Sequence, residues 1–196
     1  RIKIIVPIPM DQEGVANRAS QLAPEMIADG MSVDFVAVSW GAALGDSYYD
    51  AQLMDMSVFE AGLKAQEEGY DAVCIDTVSD SGMYALRSRL SIPVLGPGQA
   101  AFHVACMLGH KFSIITMWDE WFHLYRKVLS EYKLEARCAS MRSIDTRPDL
   151  AELLAGKEEV IFQKLEREAL KAIEEDKADV IVLGSTTMHQ SYAFLQ

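Results

Sequence analysis

Two hydroxyl side chains stand in matching surroundings. Thr77 follows Asp71 by six residues and Ser185 follows Asp179 by six, with an apolar run between in each case, Ala72-Val73-Cys74-Ile75 and Val180-Ile181-Val182-Leu183. Upstream, Leu63-Lys64-Ala65-Gln66-Glu67-Glu68 is echoed by Leu170-Lys171-Ala172-Ile173-Glu174-Glu175. Downstream come small polar residues, Ser79-Asp80-Ser81-Gly82 in one copy and Thr186-Thr187 in the other. A repeated helix, strand and terminal hydroxyl is expected of two copies of one supersecondary unit related by a pseudo-twofold axis, with the hydroxyls facing each other across a cleft. Equivalent groups on opposite faces of one carbon suit stereochemical inversion. Ser and Thr are also ordinary helix N-caps, and Leu-Lys-Ala-x-Glu-Glu is a common surface-helix pattern, so the repeat alone leaves both readings open.

A hydroxyl is far less acidic than a thiol, whose reference pKa is about 8.5. It can take a proton from carbon only if another base takes its own. Candidate bases are Asp76, Asp80 and His189, the last standing four residues after Ser185 and hence one helical turn on. Asp80 serves equally well as a cap for the following helix. The backbone N–H groups of Val78, Ser79, Thr186 and Thr187 are expected to open two helices, whose N-termini attract a carboxylate or an enolate-like oxygen.

Around these residues, apolar runs alternate with helical spacing. Strands are expected at 2–6, 33–38, 72–75, 93–95, 112–116, 136–139 and 180–183, and helices at about 15–28, 53–68, 83–90, 100–108, 120–132 and 160–175. This alternation implies an α/β fold with right-handed crossovers and parallel sheets. In such sheets the chemistry gathers in loops past the strand carboxyl ends, which places Thr116 beside the other candidates. The expected organisation is two Rossmann-like lobes, 1–95 and 96–185, with 186–196 and further chain completing the first. The second copy stops at Ala193-Phe194-Leu195-Gln196, inside the expected helix, so at least one more strand is expected to follow.

The formal net charge of −11 over 196 residues argues against a nucleic-acid surface, which needs clustered Lys and Arg. The three cysteines, Cys74, Cys106 and Cys138, lack metal-ligand spacing and read as buried thiols in a reducing compartment. No apolar run is long enough for a membrane span, and the expectation is a cytoplasmic protein needing neither metal nor organic cofactor, with no membrane partner. No phosphate-binding glycine motif follows a strand, which favours a small carboxylate or cyclic amide over a nucleotide. Trp40, Trp118 and Trp121 supply aromatic surface and read first as packing.

Three segments together resemble the aspartate/glutamate/hydantoin racemase superfamily. Gly69 to Gly82 is similar to the first active-site loop of hydantoin and allantoin racemases, 93–116 to their central region, and Asp179 to Met188 to their second active-site loop. The resemblance implies a cofactor-independent racemase, epimerase or isomerase, expected to be a homo-oligomer, acting next to a carboxylate or amide. It places Thr77 and Ser185 where such racemases carry two cysteines. The hydantoin-type members have an Asn-Pro-Asn-Thr-like motif after the first strand, and here the match is Val6-Pro7-Ile8-Pro9, which keeps only Pro7 as a candidate substrate contact. These departures read as natural divergence in preference to an engineered knock-out. They keep a decarboxylase, a lyase or a small-molecule-binding accessory protein as the alternative.

Overall fold

The short apolar runs do become strands. The computed structural model describes residues 1–147, 158–186, 188, 191 and 195. The elements are β1 (Ile2–Val6), α1 (Gln12–Ser20), β2 (Val33–Ala37), α2 (Tyr48–Gly62), β3 (Ala72–Ile75), α3 (Met83–Arg87), β4 (Val94–Leu95), α4 (Pro97–Leu108), β5 (Phe112–Thr116), α5 (Phe122–Tyr132), β6 (Cys138–Ser143), α6 (Glu158–Glu174) and β7 (Val180–Leu183). They form two parallel sheets, one in the order β2-β1-β3-β4 and the other β6-β5-β7. The chain divides into two compact units at Gly98/Gln99.

Helix boundaries differ from the periodic pattern where caps and prolines intervene. α1 starts at Asp11, whose carboxylate accepts the Gly14 N–H at 2.8 Å. It ends at Ser20, well short of residue 28, because Pro24 forces Ala23 into an extended conformation and starts a separate short turn. Ser47 caps α2 through the Asp50 N–H at 3.1 Å, so that helix begins five residues before the apolar pattern becomes evident. α2 stops at Gly62, where a Cβ would lie 2.7 Å from Leu86 Cδ2 and 2.9 Å from Ile5 Cδ1. β6 starts at Cys138 instead of 136, because a 3-10 turn at Glu135–Arg137 follows the left-handed Lys133 that closes α5.

Within the first unit, Ile5, Val58, Val73, Ile75 and Leu86 are completely buried. In the second, Ile115, Met117, Ile144, Ile161, Leu165, Ala169 and Met188 form one cluster, with Trp118, Trp121 and Leu195 packed against it. The packing reading thus holds for these two tryptophans. Met188 and Leu195 belong to the segment that the sequence assigned to the first lobe. Among the described residues of that segment, Met188 belongs to this cluster and Leu195 packs against it.

Three strands of the first sheet and the three strands of the second share corresponding backbone bonds at their ends. In the first, the Asp71 N–H reaches the carbonyl of Arg1, Asp76 N–H that of Ile5, and Val38 N–H that of Val6. In the second, the Asp179 N–H reaches Lys111, Gly184 N–H reaches Ile115, and Ile144 N–H reaches Thr116. β3 is therefore equivalent to β7, and Thr77 and Ser185 each stand two residues past the end of the equivalent strand.

Candidate functional site

The loop after β3 is tied down from three helices. Asp76 accepts two bonds from Arg18 on α1, from Nε at 2.8 Å and from Nη2, and both side chains are largely buried. Asp55 on α2 accepts the Gly82 N–H at 2.9 Å. Gly82 has φ 70°, and a Cβ there would meet the Asp55 carbonyl at 2.8 Å. Asp80 is buried, with φ 50°, and its Oδ1 accepts the Gly98 N–H at 2.8 Å in the first turn of α4. The packing leaves no room for side chains: a Cβ on Gly98 would sit 2.1 Å from the Val78 carbonyl, and one on Gly96 would sit 2.4 Å from Asp80 Cγ. Asp80 therefore serves the N-terminus of α4, and the cap residue of α3 is Gly82.

Thr77 is half-buried and caps no helix. Its carbonyl accepts the Asp80 N–H in a turn, while α3 begins only at Met83. The N–H groups of Val78 and Ser79 therefore lie in that turn and do not open a helix, a correction to the sequence reading. Val78 and Ser79 are buried. Thr77 Oγ1 lies 2.9 Å from Ser79 Oγ, which lies 2.9 Å from Ser81 Oγ. Pro7 is buried just past β1.

In the second unit, Ser185 and Thr186 are half-buried, and the Ser185 carbonyl accepts the Met188 N–H at 3.0 Å. Thr187 and His189 lie outside the described residues. Thr116 is completely buried, with Oγ1 2.8 Å from the Tyr125 hydroxyl. Tyr125 gives its one proton to the Gly184 carbonyl at 2.6 Å, so Thr116 is the donor to Tyr125. Burial drives the Tyr125 phenol well above its usual pKa, the Thr116 bond pulling weakly the other way, so Tyr125 stays a neutral donor. Gly184 is required by close approach, because a Cβ would fall 2.9 Å from the Tyr125 oxygen and 3.0 Å from Ile114 Cγ2. Tyr125 and Asp55, which hold the two loops from below, carry no motif that sequence reading could have found.

With two equivalent strand-end hydroxyl loops in place, the relationship to known proteins can be stated. A family model described as Asp/Glu/Hydantoin racemase matches residues 13–194. The chain belongs to the Asp/Glu/hydantoin racemase family. It is 32% identical over 155 residues to the hydantoin racemase of Pseudomonas sp. (strain NS671), a match covering 78% of this chain and 61% of that protein. The chain thus spans about three fifths of that relative's length. A second hydantoin racemase, from Paenarthrobacter aurescens, is 25% identical over 189 residues, 95% of this chain and 78% of its own. Among solved structures, allantoin racemase from Klebsiella pneumoniae superposes with a TM-score of 0.86 at 28% identity, covering all of this chain and 78% of that one.

For a member of this racemase family, the placement of the thiols matters. All three cysteines are free and half-buried, and none stands at the end of β3 or β7. Burial, reinforced by Asp76 and Asp80, pushes Cys74 up to about 11. Burial also pushes Cys138 up to about 11. Among the described residues no group of His, Cys, Asp and Glu could hold a metal ion, and no helix is long and apolar enough to cross a membrane. Trp40, on the loop after β2, donates its indole N–H to Glu60.

Proposed function

We propose that this racemase-family protein is a cofactor-independent racemase, epimerase or isomerase acting at the carbon next to a carboxylate or amide of a small hydantoin- or amino-acid-like substrate. The observation that carries the reading is the equivalence of Thr77 and Ser185 in the matched backbone register of β3 and β7. Similarity to hydantoin and allantoin racemases supports a cyclic amide as the substrate class. In this reading Thr77 and Ser185 contact the substrate, and Pro7, Val78, Ser79, Asp80, Thr116, Thr186 and Thr187 are the further candidates for substrate binding. His189, which lies outside the described residues, is the remaining sequence candidate for a base. Asp76 is committed to Arg18 and Asp80 to the Gly98 N–H.

A second reading is favoured by one feature: neither strand-end position carries a thiol. A family member that decarboxylates, cleaves or only binds its ligand needs oxygen-binding donors there and no thiolate. Incubation in deuterated water with hydantoins, amino acids and dicarboxylates, followed by NMR, separates the two. Exchange at the α-carbon supports proton transfer. Ligand-induced thermal stabilisation without exchange overturns the racemase reading in favour of the second.

A further inference from the structure

We infer that Ser79 and Ser81 are positioning residues that orient the Thr77 hydroxyl, turning it into a hydrogen-bond donor toward a substrate oxygen. The inference deepens the proposed function and rests on it for the claim that Thr77 meets substrate. Three hydroxyl oxygens form a chain, Thr77 to Ser79 at 2.9 Å and Ser79 to Ser81 at 2.9 Å. Each hydroxyl has one proton to give and two lone pairs to receive with.

Three proton orders satisfy both links. If the chain runs inward, Thr77 gives to Ser79 and Ser79 to Ser81, and the Ser81 proton is left over in a side chain only 2% exposed. If both ends give to Ser79, the leftover proton is on Ser79, which is 3% exposed. If the chain runs outward, Ser81 gives to Ser79 and Ser79 to Thr77, and the leftover proton sits on half-buried Thr77. An unmatched buried donor is disfavoured by about tenfold or more in population, so the outward order dominates. The Ser79 N–H also points at Thr77 Oγ1, at 3.4 Å. Both lone pairs of Thr77 then face Ser79, and donating is the capacity left to it.

Thr77 thus binds the carbonyl, carboxylate or enolate-like oxygen beside the reacting carbon and does not remove the proton from that carbon. Any base belongs elsewhere in the site. The preferred ligand presents an oxygen acceptor to this loop in place of an N–H.

Neutron diffraction on deuterium-exchanged crystals of the whole chain tests the proton order directly. The expected map places the Thr77 deuteron off the Thr77–Ser79 line and the Ser79 deuteron on it. A Thr77 deuteron pointing at Ser79 overturns the inference. The functional arm follows α-deuteration of 5-isopropylhydantoin. Ser79→Ala is expected to lower kcat/KM about tenfold, Ser79→Thr to restore most of it, and Ser79→Ala added to Thr77→Val to cost nothing further, because Ser79 acts through Thr77. Additive losses, or wild-type rates in Ser79→Ala and Ser81→Ala, overturn it while leaving the enzymatic reading intact. If the wild-type chain exchanges no α-proton in any hydantoin, amino acid or dicarboxylate, the enzymatic reading fails, and the neutron map alone decides the direction of the hydroxyl chain.

Discussion

The thiols of this chain do not take the place of strand-end cysteines: none stands at the end of β3 or β7, and burial holds Cys74 and Cys138 protonated at neutral pH. Cys74 sits inside β3 and its pKa is raised to about 11 by burial and by the carboxylates of Asp76 and Asp80. A raised pKa leaves the thiol protonated at neutral pH, so alkylation of Cys74 and Cys138 by iodoacetamide is expected to be slow at pH 7.5 and to accelerate about tenfold per pH unit toward pH 11. Mass spectrometry of quenched samples reads this directly, and fast labelling of Cys74 at neutral pH would contradict the burial argument. The hydroxyls behave differently. Replacing both Thr77 and Ser185 by Ala is expected to abolish turnover or ligand binding. The stability cost should be about 1–3 kcal/mol, since Thr77 caps no helix but its removal leaves the buried Ser79 hydroxyl without that partner. Unchanged activity in the double variant would remove them from the mechanism.

At the scale of elements, each loop is set by a contact from a helix beneath it. Tyr125 on α5 bridges the Gly184 carbonyl and the Thr116 hydroxyl, which anchors the loop carrying Ser185 to the end of β5. Tyr125→Phe leaves a buried carbonyl and a buried hydroxyl without that partner, and is expected to cost about 1–3 kcal/mol in urea unfolding. On the first loop, Gly98→Ala drives a methyl to within 2.1 Å of the Val78 carbonyl. Either the start of α4 or the turn holding Thr77 must move, at about 1–3 kcal/mol. Because the same movement disturbs the Asp80 bond to the Gly98 N–H, activity is expected to fall along with the melting temperature. A fully stable Gly98→Ala protein would show that the turn holding Thr77 and the start of α4 are less tightly packed than the distances imply.

At the scale of the whole molecule, a charge cluster in the second unit is expected to contribute to acid stability. Arg142 on β6 binds Asp176 at 2.6 Å, Glu175 at 2.9 Å and Glu168 at 3.4 Å, linking the edge strand to α6 and the turn after it. The Arg142 hydrogen bond holds Asp176 below the usual carboxylate range, against the opposing effect of burial. Burial raises Glu168, but its bonds to Lys171, Arg167 and Arg142 together outweigh this and leave it lowered. A carboxylate whose folded pKa is depressed contributes stability above its unfolded pKa, about 4, and loses it as pH falls through the folded value. The urea midpoint is therefore expected to be flat from pH 7 to about 5 and to drop below pH 4. Arg142→Met should be less stable at pH 7 and show a shallower acid drop. Parallel acid profiles for the two proteins would contradict a role for this cluster. A net charge of −11 also means that any anionic substrate depends on local donors, such as the Thr77 hydroxyl, and not on the field of the molecule as a whole.

Strands were legible from sequence because each is a contiguous apolar run, and the equivalence of Thr77 and Ser185 was legible because strand register preserves a fixed spacing from Asp71 and Asp179. Family membership followed from the order of the same segments. Helix ends were less legible: the Ser47 cap, the stop before Pro24 and the delayed start of β6 depend on single residues that interrupt a periodic pattern. Only the tertiary structure revealed that Asp80 serves α4, that Gly82 precedes α3, and that Tyr125 holds Gly184. It also revealed a hydrogen-bonded chain where the sequence had shown only a run of small polar residues, Ser79-Asp80-Ser81. The physical reason is range. Alternation and spacing arise from contacts a few residues apart, whereas the Asp80–Gly98 and Tyr125–Gly184 bonds join groups 18 and 59 residues apart in sequence. Their meeting is decided by which strand ends the crossover topology brings together. The hydroxyl chain, though local, depends on a turn that no periodic pattern encodes.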